Sequence, residues 1–309
     1  MTARPERLAD LYPTLADSLI SRFKEREENV RLDVLQSFTS LVSVSMLSGT
    51  SSKPSISSEH TLSALSPSPS PSLSQRTHIV MPGIVERVPV ILLAVKPYLT
   101  NHASAKTKSA VFVLLKSLAV VLRGSLDSHV PMLFTVIKKS LADKSQSQTL
   151  RLDALQLLHH LIELHAPSVV QPAVGDLLPH ILSALKDDWV KISVEALRLT
   201  CSIIKVMRPV DAGSNTFLSI SVDISPHVRA LHTALLPRLQ ALDIDLEIKE
   251  GAITAAARLL YHLADYLPGE VLTVLGVLVK RLETEATRMA ALRAFALLAS
   301  SPLYIDVSE

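Results

Sequence analysis

The chain has 309 residues, of which 48% are hydrophobic and only 4% aromatic, and its basic and acidic residues nearly balance at a formal net charge of +2. This balance argues against nucleic-acid binding, which normally uses a concentrated basic face, and a single cysteine excludes an internal disulfide framework. Because the most apolar run, residues 110–122, is interrupted by Lys116 and a span needs about 20 apolar residues, we expect a soluble intracellular protein without a membrane segment.

A helix-opening pattern with one basic residue before an apolar stripe recurs six times. The basic residues are Arg31, Lys106, Arg151, Lys191, Lys249 and Arg288, with spacings of 75, 45, 40, 58 and 39. Three spacings lie at or near the roughly 40–47 residues of a HEAT or armadillo unit, a stacked pair of helices. We therefore predict an all-α, right-handed α-solenoid of about six helix pairs, forming one domain over residues 8–306.

The first helix pair is predicted over residues 8–44. Its first helix should bury Leu11, Leu15, Leu19 and Phe23, and its second Val30, Val34, Leu35, Phe38 and Leu41. Residues 48–76 are dominated by Ser and Pro and cannot bury enough apolar surface to offset chain entropy. We predict a disordered insertion there. Its Ser-Pro pairs at Ser66, Ser68 and Ser70 could accept phosphate, with a plain tether as the alternative interpretation.

Five further pairs follow in chain order. Their predicted helices cover residues 84–99 and 107–122, 130–141 and 149–165, 173–185 and 190–206, 226–242 and 247–266, and 270–282 and 285–299. Pro89 and Pro97 should kink or end the helix that contains them. Residues 209–225, rich in Ser, Gly and Asp, are predicted to be a second loop insertion. No polar capping repeat follows the last apolar helix, so we expect the array to be one that continues into further repeats.

The densest cluster of potential metal ligands comprises His159, His160, Glu163 and His165. His159 and Glu163 are one helical turn apart, which is compatible with a divalent metal, but the His-Glu-x-x-His order that adds a general base is missing. His159 also falls on an apolar stripe. A hydrogen-bonded helix histidine is therefore the favoured interpretation, and a metalloprotein or hydrolase is the alternative.

Two other features suggest chemistry only superficially. Asp243, Asp245 and Glu247 alternate like calcium ligands, but the central Gly and the distal Glu are missing, so we predict that Asp243 or Asp245 caps the next helix. Cys201 is expected to be an inert, partly buried thiol. With eight glycines in the chain and no phosphate loop or Ser-His-Asp order, we expect a non-enzyme without a cofactor or a metal.

The second helix of each pair is the predicted partner-binding element, because such helices line the concave side of solenoids. Candidate contact residues form two polar stripes: Gln156, His160 and Glu163, and Glu195, Arg198 and Lys205. An ordinary solvated face is the alternative. The repeated basic residue is expected to pair with a turn aspartate of an adjacent unit, such as Asp143, Asp187 or Asp188, with direct partner contact as the alternative.

Six segments in order resemble landmarks of the cullin-associated, neddylation-dissociated family, also called the TATA-binding-protein-interacting HEAT proteins. They are SRFKEREENV at 21–30, LRLDAL at 150–155, VKISVEAL at 190–197, VMRPVD at 206–211, DIDLEIKE at 243–250 and SPLYID at 301–306. The resemblance extends over residues 8–306. Family members are several times longer, so it concerns an internal stretch of their array.

The resemblance implies a regulator of cullin–RING ubiquitin ligases in the cytoplasm and nucleus. Family members wrap around an unneddylated cullin with its RING subunit, block the neddylation lysine and displace substrate-receptor modules, so that receptors exchange without a catalytic residue. Because the chain is short, it is expected to be either a partial gene product or a shortened or split member, and a split member would need a second chain carrying the rest of the array as its partner. The competing interpretation is a generic HEAT adaptor for another client, in nuclear transport or phosphatase assembly.

Overall fold

The computed structural model describes residues 5–47, 83–100, 103–143, 145–211, 213–220 and 222–305. This part of the chain is an α-solenoid, which confirms the predicted fold class. Its α-helices are α1 (Pro5–Ser21), α2 (Glu28–Leu47), α3 (Ile84–Thr100), α4 (Ala105–Leu122), α5 (Val130–Ala142), α6 (Gln148–Leu164), α7 (Pro167–Val170), α8 (Val174–Leu185), α9 (Val190–Met207), α10 (Ser225–Gln240), α11 (Leu246–Leu263), α12 (Val271–Glu283) and α13 (Glu285–Ala299). The predicted insertion at 48–76, with Ser66, Ser68 and Ser70, lies outside the described residues.

The helices form two rows. We call α1, α3, α5, α8, α10 and α12 the A row, and α2, α4, α6, α9, α11 and α13 the B row; each A helix packs on the B helix that follows it in its pair. Neighbouring B helices pack against one another along much of their length, whereas neighbouring A helices meet more sparsely. In a curved stack the inner elements lie closer together than the outer ones, so the B row lines the concave side.

Local capping residues set where several B helices begin. The Ser104 hydroxyl accepts a hydrogen bond from the Thr107 amide, and Ser147 accepts one from Leu150. Asp245 accepts one from the Glu247 amide at 2.8 Å, which confirms the predicted cap before α11. Such caps satisfy backbone donors that have no partner inside the helix.

The buried side chains form one continuous apolar core along the described array, from Tyr12 to Leu298. The stripe predicted for the first helix is wrong at Leu11 and Leu15, which are 56% and 43% exposed while Tyr12 and Ala16 are buried, but Phe23 is buried as predicted. Steps of four residues advance 40° beyond a full helical turn, so a stripe repeated strictly every four positions rotates away from one face. In α2, Val30 is likewise exposed.

Two predictions concern interruptions of the helical array. Pro89 and Pro97 both lie inside α3, which continues to Thr100, so neither ends the helix. The predicted loop insertion at 209–225 contains a short antiparallel pair, β1 (Val210–Asp211) and β2 (Thr216–Phe217). It is held against the array by Arg208, whose guanidinium lies 4.1 Å from the centre of the Phe217 ring.

One described segment, Ala105–Ala142, is long and apolar enough to cross a membrane by length and composition alone, and half of its most apolar window is buried. It comprises α4, a 3-10 helix (Arg123–His129) and α5. These helices belong to successive repeat units, and side chains such as Phe112, Leu115 and Ile137 lie in the common core. The solenoid core therefore accounts for the apolar character of this segment.

Candidate functional site

Polar side chains connect neighbouring B helices on the concave side, which we call the inner face. Ser109 of α4 bonds Asp153 of α6, and the Lys116 ammonium donates to the Gln156 amide oxygen at 3.0 Å. Further along, Arg198 of α9 donates to Glu247 of α11 at 2.8 Å. These contacts cross from one helix to the next, so they link the repeat units laterally.

The most buried of these links joins His159 of α6 to Glu195 of α9, with 2.7 Å between Nδ1 and Oε1. Burial alone would lower the pKa of His159, but the hydrogen bond and charge of Glu195, with a smaller effect of Glu163, raise it above the ordinary value. Burial alone would raise the pKa of Glu195, and His159 outweighs it and lowers that pKa. The pair is therefore a charged contact between two repeat units.

The structure places the candidate residues of the first polar stripe, Gln156, His160 and Glu163, on the accessible side of α6. The Gln156 side chain is bonded to Lys116, and the His160 ring bonds the Gln156 carbonyl oxygen at 2.8 Å. Glu163 accepts from the Ser202 hydroxyl at 3.0 Å. A role of these residues in partner binding stays a prediction.

The second stripe differs from the prediction at one position. Glu195 is only 6% exposed because it turns toward His159, so its predicted exposure is wrong. The exposed residues of α9 are Lys191, Arg198 and Lys205, all basic and seven residues apart. A seven-residue step returns to nearly the same side of a helix. The exposed side of α9 is thus a basic stripe, with Lys191 as the member that sequence reasoning missed.

In the described residues, one of the repeated basic residues forms the predicted ion pair with a turn aspartate of an adjacent unit. Arg151 forms an ion pair with Asp187 in the turn before α9. Arg31 instead donates to the Glu25 carbonyl oxygen at 2.7 Å, and Arg288 donates to the Leu282 carbonyl oxygen at 3.0 Å. Most copies of the motif therefore do not form a carboxylate ladder.

The histidine cluster is divided among separate contacts. His165 is buried, and its Nδ1 lies 2.8 Å from the Leu161 carbonyl oxygen, while His160 and His159 bond elsewhere. No group of three or more His, Cys, Asp or Glu side chains arranged for a metal ion occurs in the described residues. Cys201 is partly buried, and burial raises the pKa of its thiol to about 11, so little thiolate forms at neutral pH.

A groove of about 980 Å³ lies where several B helices end, and we call it the edge groove. Its lining residues are Ile162, Glu163, Leu164, His165, Pro167, Ser202, Lys205, Val206, Pro209, Val210, Arg258, Tyr261, His262 and Leu297. They come from the ends of α6 and α9, from α7 and the start of the strand pair, and from α11 and α13. The groove thus crosses four successive B helices.

Comparison with known proteins places the sequence among large repeat proteins. The family profile described as CAND1-like, TPR repeats matches residues 124–256. Cullin-associated NEDD8-dissociated protein 1 of Arabidopsis thaliana is 32% identical over 308 residues, which is 100% of this chain and 23% of the relative. Cullin-associated NEDD8-dissociated protein 2 of Mus musculus is 33% identical over 307 residues, 99% of this chain and 23% of the relative. The chain therefore spans about a quarter of the length of these relatives.

Solved structures support the fold. A designed armadillo repeat protein in complex with the peptide (KR)4 has a TM-score of 0.64 at 12% identity, covering 92% of this chain and 99% of the other. Kap121p bound to RanGTP has a TM-score of 0.65 at 12% identity, covering 94% of this chain and 24% of the other. At such identity the likeness shows the fold alone, and the fold does not define the function.

Proposed function

We propose that this chain, which is similar over essentially its whole length to cullin-associated NEDD8-dissociated proteins, is a non-catalytic scaffold segment that binds a cullin with its RING subunit. The observation that carries the proposal is the similarity over essentially the whole chain to relatives whose names state cullin association. The repeat architecture supports a scaffold, because stacked helix pairs present a long surface to a protein partner.

The inner face is the proposed contact surface. Its lateral links, such as Lys116–Gln156 and Arg198–Glu247, hold side chains of neighbouring helices in fixed positions. A surface ordered before binding loses less conformational entropy when the partner docks. Lys191 and Lys205 add positive charge that would increase the rate of association with an acidic surface.

The finer role is that of an exchange factor. We propose that the segment favours the unneddylated cullin, and that it takes part in replacing substrate receptors by competition between binding modes, in the cytoplasm and nucleus. Such coupling requires only that two ligands affect each other's affinity. Because the chain spans about a quarter of the relatives, full exchange would need further repeat units, from a longer chain or from a second one.

The test is co-elution of the purified chain with a cullin–RING core on a sizing column, using the unneddylated and the neddylated core in parallel. Selective co-elution with the unneddylated core is expected. A folded, monodisperse chain that binds neither core would contradict the proposal. Binding of both cores with equal affinity would leave the scaffold role and overturn the preference for the unmodified form.

A matched pair of variants locates the surface. The double variant Lys116→Glu with Lys191→Glu reverses two charges on the B row, and Lys96→Glu with Lys186→Glu reverses two exposed charges on the A row. We expect the B-row variant to lose binding and the A-row variant to retain it. Equal loss in both would place the contact elsewhere. A transport adaptor, the competing interpretation, would bind neither core.

A further inference from the structure

The edge groove differs from the inner face in its place, although Lys205 belongs to both. It follows the ends of α6, α9, α11 and α13 rather than their middle turns. Its walls include apolar side chains such as Leu164, Pro209 and Leu297, and buried Ile162 and Val206 also line it. The edge groove therefore has an apolar lining with polar side chains at intervals.

Two basic side chains from neighbouring helices line the edge groove, Lys205 of α9 and Arg258 of α11. Neither forms an ion pair with a carboxylate of the described residues, although Arg198 and Arg208 nearby do so. Arg258 bonds the Cys201 sulfur, which leaves most of its guanidinium donors available. The groove thus holds two cations whose charge the described part of the protein does not neutralise.

The other ionisable groups of the lining leave this positive charge in place. Glu163 is the one carboxylate among the described lining residues; it accepts from Ser202 and lies 3.4 Å from His159 Nε2, so two cations of the lining face a single carboxylate. His262 is 5% exposed, and its Nδ1 lies 2.9 Å from the Arg208 carbonyl oxygen. Burial first, and then the surrounding basic residues, lower the pKa of His262 to about 4, so the ring is neutral at physiological pH. Lys205 and Arg258 are consequently the groups that would meet an anion.

The dimensions of the groove suit an extended chain. Packed helices lie about 8–10 Å apart, so a groove crossing from α6 to α13 is about 27 Å long. An extended peptide covers this length with about eight residues, and side chains on one side of it are about 6.7 Å apart. That spacing approaches the distance between neighbouring helices, and the long side chains of Lys205 and Arg258 can close the difference.

We propose that the edge groove binds an extended acidic peptide segment of a partner protein, with two carboxylates at positions i and i+2 facing Lys205 and Arg258. Carboxylates of the peptide accept charge-assisted hydrogen bonds from these two side chains. Lys205 also belongs to the proposed cullin-binding surface, but a binding assay with a free peptide contains no cullin and therefore tests the groove separately.

The experiment is fluorescence anisotropy of the full chain with a labelled octapeptide in which Glu alternates with Ser. We expect binding that weakens as salt is raised, because exposed charge pairs are screened. The double variant Lys205→Gln with Arg258→Gln should lower the affinity about tenfold, since exposed ion pairs contribute modestly. Lys96→Gln with Lys138→Gln removes the same amount of charge from the A row and should leave the affinity unchanged.

Three outcomes would overturn the proposal. The first is no binding of the alternating peptide by a chain that circular dichroism shows to be folded. The second is an equal loss of affinity in the two double variants. The third is equal binding of a peptide in which Lys replaces Glu. A peptide with the same residues but adjacent carboxylates should bind several-fold more weakly, and equal affinity would overturn the i, i+2 spacing.

Discussion

The A row and the B row of this solenoid differ in the residues that they tolerate. Every proline inside a described helix, apart from first-turn positions, lies in the A row: Pro13, Pro89, Pro97, Pro179 and Pro237. Proline removes a backbone donor and bends a helix. An A helix has solvent on its outer side and meets its neighbours sparsely, so it can bend. A B helix is enclosed by two B neighbours and its own A helix, and must remain straight.

Side-chain size shows the same difference. The middle of α11 contains Ala252, Ala255, Ala256 and Ala257, all buried, and Gly251 approaches Leu197 of α9 closely. Small residues allow the B helices to lie near one another, and this produces the curvature. Gly276 in the A helix α12 has open space around it. The same kind of substitution should therefore change the free energy of unfolding by different amounts in the two rows, and this can be tested by comparing variants of the A row with variants of the B row.

The largest effect is expected from a proline placed in the B row. Thr254 is exposed in the middle of α11, so Thr254→Pro disturbs the backbone without removing core packing. We expect a loss of about 3 kcal/mol or more in the free energy of unfolding. Pro89→Ala in α3 should not lower that free energy, because it restores a helical donor. Urea denaturation measures both, with Thr254→Ala as the control, and equal losses would contradict the distinction between rows.

The next effect comes from a larger side chain at the two glycines. A Cβ at Gly251 would lie 3.0 Å from Leu197 Cδ1, whereas a Cβ at Gly276 meets nothing within 4 Å. Gly251→Leu should cost about 2–3 kcal/mol through overpacking of α9 and α11. Gly276→Leu should be neutral or stabilising, since Gly is a poor helix former. Thermal unfolding of both variants checks the prediction, which is refuted when Gly276→Leu is the more damaging.

A third effect depends on acid pH and on His262. Its pKa is about 4 in the folded protein and 6.5 in the unfolded chain, so below pH 6.5 the unfolded chain takes up a proton that the folded protein excludes. Stability should fall by about 2 kcal/mol between pH 7.5 and pH 5. His262→Gln keeps a donor for the Arg208 carbonyl and should flatten this slope. An unchanged slope in the variant, measured by urea denaturation across pH, would remove His262 as the cause.

The smallest expected effect is the loss of stability when an ion pair is removed, and it is compared between one pair of the B row and one pair of the A row. The His159–Glu195 pair stabilises the fold above the lowered pKa of Glu195 and below the raised pKa of His159. Glu195→Gln should therefore cost about 1 kcal/mol between the unfolded pKa values of 4.5 and 6.5, and the difference from wild type should vanish as pH rises through the raised pKa of His159. Asp176→Asn removes the exposed A-row pair with Lys138 and should cause no measurable change. A persistent difference at alkaline pH would show that Glu195 acts mainly through packing.

Much of this architecture could be predicted from the sequence because helical repeats carry local signals. The apolar stripes and basic helix openings located all six pairs, with bounds within a few residues for most helices. The cap at Asp245 was also predictable, since it depends on two neighbouring residues. The exposure of Leu11 and the continuation of α3 through Pro89 were not, because both depend on what packs against the helix.

The candidate site shows the same limit. The polar stripes of α6 and α9 were visible as spacings, but the partner of Glu195 lies 36 residues away on another helix. A spacing within one helix cannot reveal which polar residue turns toward a neighbour and which remains in solvent. The edge groove likewise combines residues from Ile162 to Leu297. No local pattern marks residues so far apart as one surface.

The sequence by itself determined the α-helical repeat, the order of the pairs and the similarity to cullin-associated NEDD8-dissociated proteins, since each is expressed in local periodicity and in ordered segments of the chain. The tertiary structure alone decided that Glu195 is buried against His159 and that Lys205 and Arg258 line one groove. The reason is physical. Helix formation depends on neighbours along the chain, whereas burial and charge pairing depend on helices brought together by stacking.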